Sequence, residues 1–180
     1  MRITKENTTA LFIDFQEKLF PAMDEKELLL KNTRILLEGL KTLDIPTVFT
    51  QQYSKGLGET IEELRSLVPG FSAIEKTDFS CLGAEEYTDF LKANQCKNII
   101  LCGIEAHVCV LQTAIDLKEA GFNPIVVTDC ITSRSKVSKE GAIERFRFEQ
   151  ILMATCESIL FELTRSAKAP EFRAISKLVK

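Results

Sequence analysis

"NIILCGIEAHVCVLQTAIDLKEAGFNPIVVTD", Asn98 to Asp129, holds the order of elements that decides the fold. Its opening, Asn98 to Ile104, is a short apolar and β-branched run, the pattern of a strand buried on both faces. "CVLQTAIDLKEAG" then has helical spacing and stops at Gly121, a residue suited to the turn that ends helices. "NPIVVTD", from Asn123, is a second buried strand. Strand, helix and strand in this order make a right-handed crossover, which lays the two strands parallel.

The same alternation extends in both directions. "TALFID" from Thr9 and "PTVFTQ" from Pro46 are further strands, and a short "ILMAT" follows "KEGAIERFRF" from Lys139. Helical spacing covers Leu28 to Leu43, and "AEEYTDFLKA" from Ala84 precedes the Asn98 strand. The expectation is an α/β three-layer sandwich, Rossmann-like, around a mainly parallel sheet of roughly six strands. The stretch from Gln51 to Cys81 is the least regular, and long connections of this kind often build binding sites. The tail "APEFRAISKLVK" carries Phe172, Ile175 and Leu178 at the spacing of a last short helix, one that could dock on a neighbouring subunit.

Composition sets the class. At 180 residues, 45% hydrophobic and 27% charged, the chain matches an ordinary soluble protein and is expected to form a single domain, 1–180. The net charge of −3 comes with no basic cluster, so neither nucleic acid nor an anionic membrane is an expected partner. The first apolar run meets Asp14 early and lacks the features of a secretion signal, which predicts a cytoplasmic location. Six cysteines without a C-x-x-C then read as reduced thiols rather than a disulfide frame or a zinc knuckle.

Ligands of a parallel sheet bind beyond the carboxyl ends of its strands. Asp14 ends the first strand, and Cys109 opens the helix after the Asn98 strand. Asp14 alone reads equally as a helix cap, and Cys109 as an inert core thiol. A thiol in a first helical turn, however, feels the positive end of the helix, which favours the thiolate and predicts fast alkylation at neutral pH. The unpaired N–H groups there could also bind an oxyanion.

The single histidine, His107, stands two residues before Cys109, and residues two apart on a helix point in different directions. His107 therefore reads as a rim or subunit-contact residue rather than as half of a Cys–His pair. Lys76, in "EKTDFSC", is either a solvated lysine or the missing cation. One histidine without an Asp-x-His pattern gives too few recognisable metal ligands.

With Asp14, Lys76 and Cys109 in this order, and with "FIDFQEKL", "TQQYSKGLG", "EKTDFS", "GIEAHVCVLQTAIDL", "DCITSR" and "TCESILFEL" in register, the chain resembles the isochorismatase-like cysteine hydrolases. The likeness spans nearly the whole chain and is greatest to the isochorismatase domain-containing proteins. It implies Cys109 as nucleophile, Asp14 as the base and Lys76 as the cation that holds the thiolate and orients Asp14. It implies a non-proline cis peptide between Ile104 and Glu105, with the Glu105 and Cys109 N–H groups as the oxyanion hole. The implied chemistry is hydrolysis of a small amide through a thioester, with no organic cofactor, in a chain that assembles into homo-oligomers. Expected pocket walls are Phe15, Gln52, Tyr53, Phe79 and His107, a lining that suits a small flat or uncharged amide. The nicotinamidase branch carries metal-site histidines after its second strand, and "TQQYSKGLG" has none. A binding module without catalysis and a redox sensor resolving through Cys81 are the rival readings, since fold does not fix function.

Overall fold

The computed structural model describes residues 2–180. Six strands, β1 (Thr8–Ile13), β2 (Thr47–Gln52), β3 (Ile74–Lys76), β4 (Asn98–Ile104), β5 (Asn123–Thr132) and β6 (Leu152–Ala154), form one parallel sheet in the order β3-β2-β1-β4-β5-β6. The expected parallel sandwich is therefore the observed one.

Helices cover both faces because successive side chains on a strand point to opposite sides. From β1, Ala10 and Phe12 join one core cluster while Leu11 and Ile13 join the other. The first cluster is closed by α1 (Lys26–Thr42), α7 (Cys156–Thr164) and α8 (Phe172–Leu178) through Leu36, Leu40, Ile159, Leu160 and Ile175. The second is closed by α4 (Glu85–Ala93), α5 (Leu111–Glu119) and α6 (Lys136–Phe148) through Tyr87, Leu91, Ala114, Leu117, Ala142 and Phe146. Two single-turn helices, α2 (Ser54–Leu57) and α3 (Glu62–Arg65), lie in the irregular connection.

Two sequence expectations gain detail. The tail helix forms, but Ile175 is fully buried in the chain's own core, with Leu178 and Val179 packed beside it. Its apolar spacing is thus satisfied in part within the chain, while Phe172 and Leu178 are only half-buried. Second, the segment from Gln51 to Cys81 contains β3, a strand too short to announce itself by alternation. Its neighbour β2 supplies the pairing that periodicity cannot.

Sheet order also sets where a ligand can bind. Connections leave β1 toward β2 on one side and β4 toward β5 on the other, so the crevice above β1 and β4 is where the order reverses. Asp14 follows β1 and Cys109 follows β4, and both strands point their carboxyl ends into that crevice.

Candidate active site

Asp14 adopts a left-handed conformation, φ 56°, immediately after β1. That is uncommon for a residue with a side chain and recurs where surroundings over-determine the backbone. Its N–H donates to the Thr50 carbonyl at 3.2 Å, which ties the turn to β2. The carboxylate is fully buried and held at both oxygens. Thr50 Oγ1 donates to Oδ1 at 2.8 Å, and Lys76 Nζ donates to Oδ2 at 2.7 Å.

Lys76 ends β3, whose alternation turns Ile74 and Lys76 inward and Glu75 outward. Neither side chain of the Lys76–Asp14 pair touches solvent. An isolated buried ammonium would be too costly, so its partners explain its place. Besides Asp14, Lys76 Nζ donates to Gln52 Oε1 at 2.6 Å and reaches the carbonyls of Asp78 and Phe79 at 3.3 and 3.2 Å. Burial disfavours the Lys76 cation, but Asp14, Cys81 and Cys109 outweigh it and hold its pKa above the ordinary lysine value. Of the two readings of Lys76, the solvated one fails.

Cys109 sits inside a π-helical turn, Ala106–Val110, that leads into α5. Such turns are rare and concentrate at functional sites. The peptide between Ile104 and Glu105 is cis, at the position that the family resemblance implies. The thiol is nearly enclosed, and burial first, then the Asp14 carboxylate by its charge and as the acceptor of the thiol's hydrogen bond, push it up to about 12. Lys76 acts in the opposite direction without prevailing. The helix start predicts a thiolate from the sequence, but enclosure and a neighbouring anion dominate. The resting site is therefore a neutral thiol beside an Asp14–Lys76 ion pair, and fast alkylation at neutral pH is not expected of it.

His107 turns away from this group. Its Nδ1 lies 2.9 Å from Ser133 Oγ and 3.8 Å from Glu105 Oε2, and Glu105 in turn accepts from Arg134 Nε at 3.0 Å. The histidine is half-buried. Tyr53 and Phe79 are about half exposed, on the segments that carry Gln52 and Lys76. Phe15 is buried in the first core cluster, its ring 6.4 Å from that of Phe12, so it packs rather than lines an open wall. Gln52 is engaged with Lys76, and its Nε2 donates to the Thr77 carbonyl at 2.6 Å.

One residue at the site, Thr50, escaped sequence analysis, and Cys81 entered it only as a resolving thiol. Thr50 looks like any β-branched strand residue, and only the register that sets it beside Ile13 brings its hydroxyl to Asp14. Cys81 lies 3.7 Å from Thr50 Oγ1, its thiol raised to about 11 by burial and by Asp14. Among the described residues no group of three His, Cys, Asp or Glu side chains could hold a metal ion, and no helix is long and apolar enough to cross a membrane.

Comparison with known proteins identifies the family. The chain is 34% identical to isochorismatase domain-containing protein 2 of Danio rerio, covering 99% of this chain and 89% of that one. Among solved structures, the MAR1 ribonuclease of Caenorhabditis elegans superposes with a TM-score of 0.91 at 34% identity, covering 99% of this chain and 92% of that one. The YcaC gene product of Escherichia coli, described as an octameric hydrolase of unknown specificity, shares the fold with a TM-score of 0.92 at 24% identity, over 99% and 89% of the two chains. The model of the isochorismatase domain matches residues 8–157, and the chain therefore belongs to the isochorismatase family.

Proposed function

We propose that the chain is a cysteine-dependent hydrolase of a small amide-like substrate, acting through a thioester on Cys109. The observation that carries this reading is the solvent-free Asp14–Lys76 pair at the sheet's reversal point, where the turn after β4 also places Cys109. A thiol at about 12 is a poor nucleophile alone, so a base must take its proton as attack occurs. Asp14 is that base. Lys76, whose contacts are with Asp14, Gln52 and two carbonyls, keeps the carboxylate oriented and offsets the anion that forms on sulfur.

The Cys109 proton passes to Asp14 as sulfur bonds to the carbonyl carbon, giving a tetrahedral oxyanion. The Glu105 and Cys109 backbone N–H groups are the proposed donors to it. The C–N bond then breaks, the leaving nitrogen takes the proton from Asp14, and ammonia or an amine departs. Water attacks the thioester, gives a proton to Asp14, and the acid leaves as sulfur recovers that proton. Tyr53, Phe79 and His107 form the proposed substrate rim, with Phe15 and Gln52 supporting it from behind. No organic cofactor or metal takes part.

We read the whole chain, 1–180, as one such domain, cytoplasmic and homo-oligomeric. The octameric state of the E. coli relative supports the assembly. The ribonuclease name of the C. elegans relative supplies a second substrate class, but a net charge of −3 without a basic cluster argues against RNA here. The test is a panel of small amides and esters, with an RNA oligomer included, assayed for ammonia, acid or cleaved RNA. Asp14→Asn should lower turnover by about 10² to 10⁴ and Cys109→Ala should abolish it. His107→Ala should change KM more than kcat. If His107→Ala abolished turnover while Asp14→Asn stayed near wild type, a Cys–His pair would replace the triad.

A further inference from the structure

Thr50 holds Asp14 twice. Its carbonyl accepts the Asp14 N–H at 3.2 Å, and its hydroxyl lies 2.8 Å from Asp14 Oδ1. The direction of the second bond follows from donor counting. With Lys76 on Oδ2, the carboxylate can only accept, so the single Thr50 proton points to Oδ1. The contact between Thr50 Oγ1 and Cys81 Sγ at 3.7 Å then has one consistent polarity, with the Cys81 thiol donating to Thr50. Cys81 is itself fixed, since its backbone N–H donates to Thr113 Oγ1 on α5 at 3.0 Å.

We infer that Thr50 is a positioning residue for the proposed base, and that the Cys81 thiol serves as a fixed donor that keeps the Thr50 hydroxyl aimed at Asp14. The inference rests on the triad reading. Lys76 and Thr50 together occupy one lone-pair direction on each carboxylate oxygen and stop the group from rotating. What remains of its acceptor capacity is available to the Cys109 thiol, whose proton Asp14 helps to hold. This gives a second cysteine near the nucleophile a structural task, and it leaves the Cys81 sulfur engaged rather than poised to resolve a disulfide. The ionisable groups around Asp14 are Lys76 from β3, Cys109 from the π turn and, through Thr50, Cys81.

The test needs no substrate. Full-length protein is alkylated with iodoacetamide across a pH series, and modification of the Cys109 peptide is followed by mass spectrometry. If Cys109 reacts by passing its proton to an ionised Asp14, its rate falls away below a midpoint on the acid side. A donor to a carboxylate favours the charged form, so loss of the hydroxyl in Thr50→Val should move that midpoint up by about one pH unit. Thr50→Ser keeps the hydroxyl and should leave the midpoint in place, which a purely packing role for the residue would not do. Thr50→Ala is the second hydroxyl-free variant should the valine fold poorly, with the denaturation midpoint of each variant measured alongside.

A wild-type midpoint that is present but unmoved in both Thr50→Val and Thr50→Ala overturns the Thr50 inference alone. The Thr50 inference also fails if Thr50→Ser shifts the midpoint as far as Thr50→Val. Absence of any acid midpoint in the wild type, or one unchanged by Asp14→Asn, removes the triad reading and the inference with it.

Discussion

Lys76 Nζ and Asp14 Oδ2 meet at 2.7 Å across 62 residues of sequence, with no solvent on either side chain. A buried pair of this kind is expensive to break and cheap to replace whole, because removing one partner strands the other's charge. Lys76→Met and Asp14→Asn should each destabilise the fold by about 3 to 5 kcal/mol, while the double variant should lie much nearer to wild type than the sum of the two. Urea denaturation of the four proteins measures the coupling. Additive losses would mean that the pair interacts weakly despite its geometry.

Stability should fall on the alkaline side. Burial, then Asp14, raise the thiols of Cys109 and Cys81 from 9.0 to about 12 and about 11. Lys76 is raised as well, since Asp14 and the two cysteines prevail over its burial. All three hold their protons more tightly folded than unfolded. Their contribution is therefore complete below about pH 9 and is lost as pH rises toward about 12. The urea midpoint should be level near neutrality and decline above about pH 9, with a shallower decline in a Cys81→Ala, Cys109→Ala double variant. A midpoint that rises with pH in that range would contradict the burial of the thiols.

Gly103, in β4 just before the cis peptide, has φ 149°, and a Cβ there would sit 2.4 Å from the Ile13 carbonyl oxygen. The obstacle is backbone at the end of the strand that delivers Asp14, so it cannot rotate away. Gly103→Ala should cost more than about 2 kcal/mol. Gly141 is the control: it lies within α6 with nothing within 4 Å of an added Cβ, so Gly141→Ala should stabilise by about 0.5 to 1 kcal/mol. Thermal unfolding of both variants checks the pair, and equal effects would mean that the β1–β4 approach is looser than described.

Chelation should leave any hydrolase activity unchanged, since no group of metal-ligating side chains forms among the described residues. The measurement is turnover before and after EDTA treatment and dialysis. A large loss restored by zinc or manganese would show that a metal ion takes part after all.

Much of this protein was legible from local pattern. Buried strands such as Asn98–Ile104 and helices such as Lys26–Thr42 declare themselves through hydrophobic periodicity, which depends on residues a few positions apart. Their alternation implied a parallel sheet joined by right-handed crossovers. Asp14, Lys76 and Cys109 could be singled out because the motifs around them resemble those of a known family, and position after a strand marked two of them.

The tertiary structure decided what those residues are to one another. Whether Lys76 is a solvated cation or half of a buried pair depends on an aspartate 62 positions away, and β3 is too short to reveal which way its side chain points. The ionisation of Cys109 reversed the expectation for the same reason. A helix start is a local feature, whereas the enclosure of the thiol and the nearness of Asp14 arise only when β1, β3 and β4 come together in one sheet. The tail carried an apolar face visible in the sequence, and its central Ile175 packs in the core beside the chain's own α1 and α7. Periodicity reports that a face must be buried, and only packing determines against what. Thr50 left no trace at all in the sequence, because a threonine hydroxyl becomes a carboxylate's donor only through strand register.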